Sequence, residues 1–181
     1  LMRIAHAGVA GVAALVLALA APVLADGDVA VTVDARGDVW VTGDDLPNQI
    51  EITPGPFADE ITVNGIGSTL VNGAPGGVIA SGVRSLRMDM LAGSDEIDIV
   101  GVTVRDLRTR LGDGHDALRL DDVVVKGRFS VRGGYGRDRV VTSGHCVFRR
   151  SVKVLGDAGN DDLYLRNVRV RGRVRLRGGR D

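Results

Sequence analysis

Aromatic side chains are nearly missing from this 181-residue sequence: one Trp, two Tyr and three Phe make up 3% of it. A core without rings is assembled from thin aliphatic layers rather than from a few large anchors. Cysteine is rarer still. The lone Cys146 excludes an intrachain disulfide framework and a CxxC zinc site. Net charge is absent too, and 44% of the residues are apolar, a combination that excludes full disorder. After residue 25 no segment carries the 3.6-residue apolar period, which excludes a substantial helix there. Glycine is what abounds, with 26 residues, and it implies many turns.

The first 25 residues read as processing rather than fold. Arg3 gives a short positive start, and positions 4–20 are almost entirely Ala, Val, Leu and Gly. Val23 and Ala25 stand at −3 and −1 to a secretory cleavage site before Asp26. The same stretch, 22 residues from Ile4 to Ala25, is long enough to span a bilayer as an uncleaved helical anchor. Either route exports the chain, so a secreted or cell-surface protein is expected. No Cys follows the site to take a lipid, and Leu1 before Met2 suggests a reading frame extended upstream of the start.

The neutral total hides a split. Residues 26–100 hold 13 acids and 3 bases, whereas residues 101–181 hold 10 acids and 19 bases, 17 of them Arg. Opposite ends of this kind favour head-to-tail self-association, weakened by salt.

Internal repetition is the strongest signal. Four segments begin at Leu86, Leu107, Phe129 and Val152, spaced by 21, 22 and 23 residues. Seven positions on, each has glycine: Gly93, Gly114, Gly136, Gly159. Nine positions on, each has aspartate: Asp95, Asp116, Asp138, Asp161. Eleven positions on, each is aliphatic: Ile97, Leu118, Val140, Leu163. Each unit also holds three short runs of period-2 alternation, which are strands. Three strands and three turns in about 22 residues make one coil of a solenoid. The predicted fold is therefore all-β, a right-handed parallel β-helix with the aliphatic columns stacked inside. An antiparallel sandwich is the rival, but it needs hairpins rather than identical turns at a fixed offset.

Residues 26–83 are less regular and are expected to form a β-rich N-terminal cap, shielding the first open rung. Within them, 29–33 and 39–42 read as a hairpin, while 48–52 and 59–63 both resemble 95–99. The solenoid itself is assigned to 84–181. A fifth copy opens at Val174 and stops at Asp181 within its turn, so further coils or a cap are expected beyond it.

The turn reads Gly-x-Asp-x-aliphatic, as in Gly134, Gly136, Asp138 and Val140. On these residues the chain resembles the haemolysin-type (RTX) calcium-binding repeats of secreted bacterial proteins, and also Asp/Gly-turn parallel β-helices of exported bacterial proteins. The RTX nonapeptide recurs twice per coil, whereas this turn comes once. The resemblance implies calcium between rungs, held by Asp95, Asp116, Asp138 and Asp161 with Asp113, Asp157 and Asp162. Read from the residues alone, the same aspartates are turn formers accepting N–H bonds, and the glycines supply positive φ.

From Val168 to Arg177 aliphatic residues alternate with Arg almost without a break. This ladder reads either as a surface for polyanions such as acidic polysaccharide or as a solvated face that discourages sheet-to-sheet aggregation. No aromatic residues interleave with the bases, which argues against nucleic acid. Catalysis has little support: His115 and His145 occupy different repeat positions, and the neighbours His145 and Cys146 form no evident nucleophile pair. The expected function is a secreted, non-enzymatic structural, surface or adhesion module. The alternative is a carbohydrate-active enzyme resembling the polysaccharide lyases, with Asp116, Asp138 and Arg137 as its acid–base cluster.

Overall fold

Stacking follows from alternation. Over 107–111, within the strand Leu107–Asp113, every second side chain is buried and the ones between are exposed, the pattern of a strand with one face on the core. Strands of this kind, too short to stand alone, gain a core by stacking on their equivalents one coil away. The computed structural model describes residues 2–4 and 27–179, which are all-β, without a helix. The leader expected over residues 1–25 lies outside the described residues, apart from Met2–Ile4, which pairs in parallel with the strand Gly77–Ser81.

The coils form a β-solenoid with three faces. Face one stacks Asp38–Thr42, Ser85–Asp89, Leu107–Asp113, Phe129–Tyr135, Val152–Ala158 and Val174–Arg177 in parallel. Face two stacks Gln49–Pro54, Glu96–Val100, Ala117–Asp121, Arg139–Ser143 and Asp162–Leu165. Face three is narrower, with Thr103–Val104, Val124–Val125, Cys146–Phe148 and Val168–Val170. Neighbouring rungs lie about 4.8 Å apart.

The predicted aliphatic column is present. Ile97, Leu118, Val140 and Leu163 are register partners, and Ile50 extends the column by one rung. The first three and Ile50 are at most 1% exposed. Leu163 is only half-buried because its strand has a neighbour on one side alone. Burying each such side chain contributes about 1.5–3 kcal/mol. Among the described residues the interior holds a ring pair, Phe129 of face one stacked on Phe148 of face three, centroids 4.6 Å apart and ring planes nearly parallel. Thr109 interrupts the column Val41–Met88–Thr109–Val131–Val154. Its hydroxyl is buried and has no partner.

The N-terminal region both adds a rung and closes the end. Residues 38–54 run in register with the coil above, Val39 on Leu86 and Ile52 on Ile99. Beyond them the pairing turns antiparallel. Asp28–Val33 folds back on Asp38–Thr42, and Glu60–Gly65 pairs with both Gln49–Pro54 and Gly77–Ser81. So 29–33 and 39–42 form the expected hairpin. The two segments that resemble 95–99 part company: 48–52 is a true rung, and 59–63 is antiparallel.

Candidate functional site

The turn from face one to face two carries the repeated Gly and Asp. Gly93, Gly114, Gly136 and Gly159 all have positive φ, between 114° and 148°. Stacking makes the glycine obligatory. A methyl group on Gly136 would overlap the carbonyl oxygen of Gly114 in the rung below, and one on Gly159 would overlap that of Gly136.

The aspartates form a continuous hydrogen-bonded column. The N–H of Asn48 donates to Oδ1 of Asp95 at 2.8 Å, and that of Asp95 to Oδ1 of Asp116 at 2.8 Å. The N–H of Asp116 donates to Oδ1 of Asp138 at 3.1 Å, and that of Asp138 to Oδ1 of Asp161 at 3.0 Å. In the opposite sense, the carbonyls of Asn48, Asp95, Asp116 and Asp138 accept N–H groups from the rung above at 2.7–2.8 Å. Each carboxylate thus replaces one bond of the parallel ladder where the chain turns a corner. Asp95, Asp116 and Asp138 are at most 2% exposed.

Only half of each carboxylate is used. Oδ2 of Asp95, Asp116, Asp138 and Asp161 is buried without a partner. Those of Asp138 and Asp161 fill the places where side chains on Gly133 and Gly156 would stand. Burial is the main force on the titration of Asp95 and Asp138 and pushes their carboxyls up to about 7, against the N–H bonds they accept. Repulsion adds to it, from Asp116 and Asp44 on Asp95, and from Asp116, Asp161 and Asp157 on Asp138. Asp116 is raised by burial as well, opposed by the Asp95 N–H and by His115.

The other three candidates lie outside this column. Asp113 and Asp157 are exposed, and Asp162 pairs with Arg137 at 3.2 Å. The seven carboxylates are therefore not gathered around one point. Calcium takes six to eight oxygens at 2.3–2.6 Å, and two stacked rungs offer two free Oδ2 atoms enclosed by backbone. Among the described residues no group of three or more His, Cys, Asp or Glu is arranged to hold a metal ion. The residues present do not fit a calcium cage.

Two features escaped the sequence reading. Asn48, nine residues after Val39, heads the column, and its side-chain amide donates to Oδ1 of Asp44 at 2.9 Å. The offset of nine was there to be found, but Asn in place of Asp concealed it. A further column stands fifteen positions into each unit, in the turn from face two to face three: Gly101, Asp122, Gly144 and Asn167. All four have positive φ, between 51° and 68°. Their varied identities hid it, since Gly, Asp and Asn are the three residues that tolerate this conformation.

The histidines are separate. Nδ1 of His115 accepts the N–H of Arg137 at 2.9 Å on the first turn. His145 is exposed on the second turn, and its N–H donates to Oδ1 of Asp122 at 2.6 Å. Its neighbour Cys146 points inward, fully buried, with its thiol pKa raised by burial.

Charge is divided between faces as well as along the chain. On face two, Arg119 sits between Glu96 and Asp98. The corner from face three to face one instead carries an exposed basic ladder, Arg105, Lys126, Arg149 and Arg171, one in each coil. Beside it, the outward columns of face one run Arg108, Ser130, Lys153, Arg175 and Arg110, Arg132, Leu155, Arg177. Comparison with protein-family models, with curated proteins and with solved structures gives no match.

Proposed function

We propose that the protein works outside the cell as a non-catalytic β-solenoid, a rigid structural, surface or adhesion module. One observation carries this reading: the column carboxylates, His115 and Cys146 are already committed to the fold. The column carboxylates accept backbone N–H groups, and Cys146 is buried. His115 serves as a backbone acceptor. A carbohydrate-active enzyme needs an acid and a base facing free space at a bound sugar, and Asp116 and Asp138 face the interior of their own turn. Export is supported by the apolar leader and its small-residue cleavage site. Calcium, which the repeat resemblance implies, is not part of this reading.

The test has two arms. Incubation with polygalacturonate, alginate or heparin should leave polymer length unchanged by size-exclusion chromatography; shortening of any of them overturns the non-catalytic reading. Fractionation of expressing cells should place the chain in the medium or on the surface, and retention in the cytosol overturns export.

A further inference from the structure

We infer that the corner between faces three and one, with the adjoining half of face one, is a binding surface for a linear acidic polysaccharide bearing carboxylate or sulfate groups. The inference rests on the extracellular, non-catalytic reading above and supplies its partner.

Three observations lead to it. First, most of the bases here lack acidic partners; Arg105, paired with Asp106, and Arg110, paired with Asp89, are the exceptions among the described residues. Arg132, Arg149, Arg150, Arg173, Arg175 and Arg177 are all exposed, and none of them forms an ion pair among the described residues. On face two and in the first turn, by contrast, Arg119 is neutralised by Glu96 and Asp98 and Arg137 by Asp162, while Arg139 of face two forms no ion pair among the described residues. Second, the bases are set by the ladder. Arg149 and Arg171 follow the register partners Phe148 and Val170, so they occupy one line parallel to the solenoid axis. Arg132 and Arg177 belong to a second line on face one. Arg149 and Arg171 one rung apart, about 4.8 Å, and Arg132 and Arg177 two rungs apart with Leu155 between them, are held in fixed register on the sheet before binding, which lowers the ordering cost of association. Third, the bases are nearly all Arg, whose planar fork matches carboxylate and sulfate oxygens two at a time.

The same surface disfavours other polyanions. The exposed aromatics of face one, Trp40 under the Arg87 guanidinium on its first parallel rung and Tyr135 at the end of its strand, do not stand between these bases to stack on nucleotides. Among the described residues no helix or ribbon projects from the sheet to enter a groove, so duplex DNA would meet these faces only through phosphates. The large apolar side chain in the centre of the patch, Leu155 between Arg132 and Arg177, is only 9% exposed and does not stand free to enter a bilayer; Val174 and Leu176, exposed on the last described rung, occupy positions that face inward in the rungs before it.

The test uses the whole chain with three probes at equal anionic charge: a heparin oligosaccharide, oligogalacturonate and a DNA duplex. Vesicles of phosphatidylglycerol serve as a fourth. At least one saccharide should bind more tightly than DNA and vesicles, with affinity falling as salt rises. Arg132→Glu, Arg150→Glu and Arg175→Glu should each weaken that binding about tenfold and lower the salt slope by about one. Arg139→Glu on face two, with the same change in charge and the fold checked by circular dichroism, should leave it within about twofold. Equal loss in Arg139→Glu, no effect of the three corner and face-one variants, or tighter binding to DNA or vesicles overturns the inference. Polymer length followed in the same tubes separates the two readings: shortening is a failure of the non-catalytic function, and absence of binding is a failure of this surface.

Discussion

The N–H of Asp116 donates to Oδ1 of Asp138 at 3.1 Å, while Oδ2 of Asp138 is buried with no partner. The two oxygens of one carboxyl therefore do opposite things to the fold. Oδ1 completes the ladder at a corner, and Oδ2 carries an unmet desolvation cost. Asn48 places an amide at the head of the same column, although its own Oδ1 is buried without a partner. Asp138→Asn should therefore keep the Oδ1 bond and match or exceed wild-type stability above pH 7. Asp138→Ala should lose about 1–3 kcal/mol, because it strands the Asp116 N–H. Urea melts of the two variants distinguish these outcomes, and equal loss in both would mean that the carboxylate charge itself is needed.

Stability should fall as pH rises from about 4 to about 7. Asp95 and Asp138 have folded-state values near 7, against about 3.9 in an unfolded chain. Across that window the folded state binds more protons than the unfolded one, so raising the pH favours unfolding. Each unit of difference corresponds to about 1.4 kcal/mol. Above pH 7 both states have released these protons and the trend flattens. Melts at pH 5 and pH 8 should differ in wild type and much less in the Asp95→Asn/Asp138→Asn double variant. An unchanged difference in the double variant assigns the trend to other groups.

Millimolar calcium and a chelator should leave the melting temperature within about 1 °C. The free oxygens number two per pair of rungs and are enclosed, well short of the six to eight that calcium takes. A ligand bound only by the folded state would raise the transition as its concentration grows. A calcium-dependent rise, abolished by Asp138→Asn, would establish a metal in the column.

The sequence made the coil legible because stacking turns a spatial relation into a fixed offset. Gly136 over Gly114, Asp138 over Asp116 and Val140 over Leu118 are each one physical requirement repeated, and repetition is visible without coordinates. Positions where several residue types satisfy one requirement were not visible. Gly101, Asp122, Gly144 and Asn167 share a left-handed backbone and nothing else. The segment 59–63 misled in the opposite way: Ile61 and Val63 alternate like Ile97 and Ile99, yet alternation does not encode strand direction, and 60–65 pairs antiparallel. The division of charge between faces was hidden because it depends on which strands share a face, whereas the division along the chain needed only counting.

Thr109→Val should stabilise the protein by about 1 kcal/mol. The hydroxyl is buried without a partner in a column whose neighbours are Met88 and Val131. Valine has nearly the same shape, and removing an unpaired polar atom removes its desolvation cost. Thermal melts at one pH measure the change. A loss of stability would show that the hydroxyl has a bonding role, such as to a buried water.

Three glycines separate the cost of backbone conformation from the cost of stacking. Gly178 lacks a positive φ and has open space where a methyl would go, so Gly178→Ala should be nearly neutral. Gly76 has φ 97° and equally open space, so Gly76→Ala should cost only the left-handed conformation, roughly 1–2 kcal/mol. Gly136 has φ 123°, and its methyl would overlap the carbonyl oxygen of Gly114. Gly136→Ala should therefore add a packing strain of roughly 1–3 kcal/mol to the conformational cost. Rungs would have to separate to relieve it, which weakens the adjacent bond from Asp116 to Asp138. The expected order of loss in denaturant melts is Gly136 well above Gly76, and Gly76 above Gly178. If Gly76→Ala and Gly136→Ala cost the same, the glycine column reflects backbone conformation alone, and close stacking of the turns is not what demands it.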